Sequence, residues 1–108
     1  MSRAMTEEER KALVLEVTCL LEYGHENART RSELVRRTGF NDRAVREILE
    51  QARDAGWLVC NDQDGKGYYL AIEVDEIERQ YKRDRARALS VLKRLRPFRH
   101  RLREEGRI

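Results

Sequence analysis

The sequence predicts a mainly α-helical fold with one small β-hairpin, followed by a long basic C-terminal helix. Three observations carry this expectation. Apolar residues recur at three- and four-residue steps in short stretches that open on Thr or Asn and stop at Gly, the pattern of capped amphipathic helices. Asp64-Gly65 lies between two runs of strand-forming residues, a strong hairpin signal. Residues 79–103 carry eleven Lys/Arg (Arg79, Lys82, Arg83, Arg85, Arg87, Lys93, Arg94, Arg96, Arg99, Arg101 and Arg103) against the single acid Asp84.

The elements follow in order. Thr6 and Glu9 make a capping box, and the acids Glu7, Glu8 and Glu9 suit a helix N-terminus. Leu13, Val14, Val17, Leu20 and Leu21 give this first helix one apolar stripe, and Gly24 is expected to end it. Thr30 and Glu33 form a second capping box for a short helix with Leu34 and Val35 inward, stopped by Gly39. Phe40 plugs the turn, and Asn41 or Asp42 caps a third helix. Ala44, Val45, Ile48, Leu49 and Ala52 form its buried side, and Gly56 closes it. Trp57 is expected to begin the first strand and to share the core with Leu49 and Leu34. The strands run from Trp57 to Cys60 and from Tyr68 to Ala71. Asp75 and Glu78 are expected to cap the final helix, which carries Ile77, Tyr81, Ala88, Leu92 and Leu95 on one side. Tyr81, Ala88, Leu95 and Leu102 repeat every seven residues, so this side suits either packing on its own domain or pairing in a dimer. Pro97 should break or kink the helix.

With 108 residues, 40% charged and 40% hydrophobic, the chain has room for one small core. The net charge of +3 is uneven: residues 1–54 hold ten Lys/Arg against eleven Asp/Glu, and residues 55–108 hold thirteen against nine. The expected division is 1–73 for the helical and hairpin domain and 74–108 for the basic helical extension. No apolar run approaches the ~18 residues of a membrane span. The opening "MSRAMTEEER" has no apolar leader, so a cytoplasmic location is expected. Cys19 and Cys60 lack ligand spacing and read as two buried thiols.

The stretch "TRSELVRRTGFNDRAVREILEQARDAGWLVCNDQDGKGYYLA" resembles the winged helix-turn-helix superfamily along its length, about two-fifths of the chain. That resemblance implies double-stranded DNA as partner, with the second helix of the motif reading bases and the hairpin touching the backbone. The positions it implies for base reading are Asn41, Asp42, Arg43, Arg46 and Glu47. Arg43 and Arg46 project opposite Val45 and Ile48, and either could bond guanine O6 and N7. Arg29, Arg31, Arg36 and Arg37 are candidates for backbone contacts, as are Lys66 at the hairpin tip and Arg83 and Arg87 in the basic helix. Brevity and the want of a ligand-binding domain resemble the small winged-helix proteins of prophages and mobile elements. Regulation of transcription, or of a replication or mobile-element step, is the function expected. The alternative is a winged-helix adaptor that docks proteins, because Asp42, Glu47, Glu50 and Asp54 leave the third helix nearly neutral.

Catalysis is not expected, and neither a cofactor nor a small-molecule ligand is. The two histidines, His25 in a linker and His100 among arginines, are poorly set for acid–base work. No phosphate-binding glycine loop or dinucleotide fingerprint is present. Asp62, Asp64 and Gly65 have the relative steps of part of a calcium loop, but Cys60 and Ala71 stand where its first and last ligands belong, so no metal site is expected there.

Overall fold

A computed structural model describes residues 5–108. The first four residues of the N-terminal stretch, expected to carry no leader, lie outside the described residues. The chain is mainly helical, with one two-stranded antiparallel hairpin and a long C-terminal helix. No helix among the described residues is long and apolar enough to cross a membrane.

Helix α1 spans Glu7–Thr18. The Thr6 hydroxyl accepts from the Glu9 N–H at 3.1 Å and donates to its carboxylate at 3.1 Å, so the predicted cap forms. The helix stops at Thr18, six residues before the expected Gly24. Thr18 is buried, and its hydroxyl donates back to the Val14 carbonyl at 2.6 Å, which competes with continued helix. Leu20 and Leu21 then turn on i→i−3 bonds to Val17 and Thr18, so Leu21 reaches the core from a turn. Cys19, just past the helix, is exposed rather than buried; Cys60 is buried as expected.

Helices α2 (Arg31–Thr38) and α3 (Asp42–Asp54) are joined by a tight turn. Thr30 caps α2 by accepting from Glu33 N–H at 3.1 Å, and Asn41, not Asp42, caps α3 by accepting from Ala44 N–H at 2.8 Å. Gly39 sits at φ +76° and donates to the Val35 carbonyl, the left-handed stop that favours glycine. Leu34 from α2 and Val45, Ile48, Leu49 and Ala52 from α3 are buried against Val14 and Val17 of α1 and against Val59 and Leu70. Trp57 departs from the expected core: it is 36% exposed and borders an open groove beside α1 and α3. Leu58 is exposed too, because the strand begins only at Val59.

Strands β1 (Val59–Asn61) and β2 (Tyr68–Leu70) pair Val59 with Leu70, Cys60 with Tyr69 and Asn61 with Tyr68. Arg53 of α3 braces β1, donating to the Val59 carbonyl at 2.9 Å and to the Asn61 side chain at 2.8 Å. The linker expected after α1 is more ordered than the sequence suggests. It contains a 3-10 turn at His25–Asn27 and bonds along β2 on both sides of that turn. Gly24 N–H donates to Leu70 at 2.9 Å, and Arg29 and Tyr68 exchange backbone bonds at 2.9 and 2.8 Å. Gly67 permits that approach: at φ +106°, a Cβ there would lie 2.0 Å from the Arg29 carbonyl oxygen.

Helix α4 runs from Val74 to Arg94 and α5 from Arg96 to Glu104. Pro97 lies in the first turn of α5, where a missing N–H costs nothing, and the break falls just before it, as predicted. The start of α4 is held differently from expectation. Asp75 and Glu78 are exposed, whereas Glu76 is 6% exposed and accepts from Ile72 and Glu73 N–H through Oε1 and from His25 N–H through Oε2, each at 2.9 Å. The chain divides into compact units Met1–Ile77 and Glu78–Ile108. The first turn of α4 thus belongs to the first unit. In the second unit Tyr81, Leu89, Leu92, Leu95, Phe98 and Leu102 are exposed.

Candidate nucleic-acid interface

The amphipathicity of α3 sets the geometry of this face. Val45, Ile48, Leu49 and Ala52 point inward, so Arg43, Arg46, Glu47 and Glu50 are exposed on the other side. Asn41, spent on the cap, fixes where that face begins. Arg43 Nε lies 3.2 Å from Glu47 Oε1, one turn along the helix, and both side chains remain open to solvent. Arg31 Nε lies 3.1 Å from Asp42 Oδ1, pairing the start of α2 with the start of α3. Arg46 is exposed and has no hydrogen bond or ion pair among the described residues. Its guanidinium is thus free of a direct partner among the described residues, unlike that of Arg43.

Arg31 and Asp42 also border an open polar groove of about 320 Å³. Its other wall is the hairpin, through Asn61, Asp62, Gly65 and Gly67. Lys66 is exposed at the tip of this hairpin loop. Its backbone N–H donates to Asp64 Oδ1 at 3.0 Å, which shapes the tip and leaves the ammonium group in solvent. The fold therefore brings together Arg31, Asp42 and the hairpin loop around one groove, with the α3 face carrying Arg43, Arg46 and Glu47.

Other candidate cations are placed differently. Arg29 is largely buried, donating to Glu33 at 2.9 Å and Glu22 at 2.8 Å, so it braces the turn before α2 instead of facing outward. Arg37 lies 3.5 Å from Glu33, and Arg36 is exposed. In the second unit Arg83 is half-buried and donates to Gln80 at 3.4 Å, whereas Arg87 is exposed. Lys82 pairs with Glu78 at 2.6 Å, and their hydrogen bond lowers the Glu78 pKa and raises that of Lys82.

Behind the hairpin tip lies a cluster that the sequence did not disclose. His25, expected in a linker, is half-buried, and its ring meets the buried Tyr69 edge-on at 5.5 Å. His25 Nε2 is 2.5 Å from Asp64 Oδ2 and 3.3 Å from Asp62 Oδ2. The Lys66 backbone N–H, and after it the His25 ring, hold the Asp64 carboxyl below its ordinary pKa. Comparison with protein families, with characterised proteins and with solved structures finds no match to this chain.

Proposed function

We propose that this chain is a winged helix-turn-helix protein that binds double-stranded DNA and regulates transcription or a replication or mobile-element step. The observation that carries the reading is the exposed N-terminal half of α3. It follows a short capped helix and a glycine turn, presents Arg43 and Arg46 opposite the buried face, and leads into a hairpin with an exposed lysine tip. A helix presented this way fits the major groove, where an arginine can bond guanine bidentately. Lys66 and Arg31 supply phosphate contacts beside it. The excess of basic residues in 79–103 adds affinity independent of sequence, and the exposed apolar side chains of the second unit supply a dimer contact. The reading places the protein in the cytoplasm and requires no cofactor.

One observation favours a second reading, a protein-docking adaptor. The Arg31–Asp42 and Arg43–Glu47 pairs neutralise much of the α3 face. Salt separates the two readings. Binding through phosphates releases counterions, so the slope of log affinity against log salt is about −0.9 per neutralised phosphate. Titration of a labelled duplex with the full chain at several salt concentrations should give a steep slope. An absence of duplex binding at low salt would favour the adaptor.

A further inference from the structure

The His25, Asp62 and Asp64 side chains converge although 39 residues separate His25 from Asp64. One donor atom from each can be chosen so that all three lie within 4.8 Å of one another. We propose that this cluster binds a divalent metal ion of the zinc or cobalt type. The ligands are one imidazole nitrogen and two carboxylate oxygens, with the remaining positions open to water. The inference does not depend on DNA binding.

The donor set argues for this class of ion. A neutral imidazole with two carboxylates suits borderline metals, whereas calcium and magnesium prefer oxygen donors alone. Donors about 2.1 Å from a tetrahedral ion stand roughly 3.4 Å apart. The 3.3 Å between His25 Nε2 and Asp62 Oδ2 already matches this. An outward swing of about 1 Å would bring Asp64 to the same spacing from His25, and its side chain is on the exposed loop.

The donors are also held from behind, as metal ligands commonly are. The Tyr69 hydroxyl, from a buried side chain, donates to Asp62 Oδ2 at 3.2 Å. Asp64 uses Oδ1 for the Lys66 N–H and turns Oδ2 toward His25. The backbone N–H of His25 is fixed by the buried Glu76. A calcium loop would draw its ligands from within its own spacing. Here the third donor comes instead from the 3-10 turn, which the pairing along β2 brings beside the loop.

The test is titration of the untagged full chain with Co2+, read by visible absorption, followed by competition with Zn2+. The expected result is one ion per chain, displaced by Zn2+ and not by Ca2+ or Mg2+. His25→Ala should weaken Co2+ binding by about tenfold or more, and Tyr69→Phe by about tenfold. Asp64→Asn serves as a second ligand variant, because Asp64 is exposed and Asn keeps an oxygen for the Lys66 N–H; it should weaken binding likewise. His100→Ala, which removes the other histidine of the chain, should leave binding unchanged. Circular dichroism checks that each variant is folded. An absence of Co2+ binding at millimolar metal would overturn the proposal. Equal affinity in the parent, His25→Ala and Asp64→Asn would do the same.

Discussion

Replacing Glu76 by Ala should destabilise the first unit more than any exposed acidic substitution. Glu76 is 6% exposed, and its carboxylate accepts three backbone N–H groups, from His25, Ile72 and Glu73. Bonds to a charged group contribute about 1.5–3 kcal/mol each. The three donors are only part-buried, so water recovers some of that after truncation. A net loss of about 3 kcal/mol is the reasonable sum, a large share of the roughly 5–15 kcal/mol typical of a domain. Glu76→Gln is the finer probe. Its carbonyl oxygen can still accept from Ile72 and Glu73, but its amide meets the His25 N–H donor to donor, so the cost should fall between parent and Ala. Urea unfolding followed by circular dichroism gives the totals, and amide exchange at residues 25, 72 and 73 localises them. A loss under about 0.5 kcal/mol for Glu76→Ala would refute the account of how α4 is anchored.

Other expectations follow from the same structure. Leu49 is 1% exposed in the core, and Leu49→Ala should cost about 2–5 kcal/mol in urea unfolding; a change under about 1 kcal/mol would place it outside the core. Gly67→Ala should disrupt the pairing of Arg29 with Tyr68, because the added carbon would sit 2.0 Å from a backbone oxygen. Amide exchange at residues 29 and 68 should accelerate in that variant, and unchanged protection would contradict the packing described. A chain cut after Glu73 would lose Glu76 and with it the brace on His25, so the informative truncation ends at Ile77. That truncated chain should bind all duplexes more weakly, with the salt slope flatter by about 0.9 for each phosphate that the basic helix no longer neutralises. An unchanged slope would make the basic run a solvated face.

Much of this architecture was legible in the sequence because local chemistry decides it. Thr6, Thr30 and Asn41 cap as their residue types require, and Gly39 and Pro97 mark real breaks. The buried side of α3 follows directly from its 3.6-residue period. Structure departs from expectation where a tertiary interaction overrides a local signal. α1 ends early at the buried Thr18, and the turn that follows on i→i−3 bonds is one that no spacing announces. Trp57, large and apolar, falls in the turn between α3 and β1 and keeps an exposed edge. Glu76 outcompetes Asp75 and Glu78 because its partners include a residue 51 positions away. Of the candidate site, the outward direction of Arg43 and Arg46 was legible from helical phase. Their difference was not: Arg43 has Glu47 one turn on, and Arg46 stands alone among the described residues. The convergence of His25 with Asp62 and Asp64 depends on the linker pairing with β2, which a sequence pattern does not encode.

On the reading proposed above, the α3 face reads duplex sequence, and the sharpest test is selection from a random duplex pool. The full chain and its Arg46→Ala variant would be run side by side at one fixed salt concentration. The parent should enrich a defined motif containing guanine. Arg46→Ala should lose about 1–3 kcal/mol on that motif, with relaxed preference at one position and little change on scrambled duplex. A parent that binds duplex but enriches no motif, or an Arg46→Ala variant that enriches the same motif with equal strength, would contradict that reading.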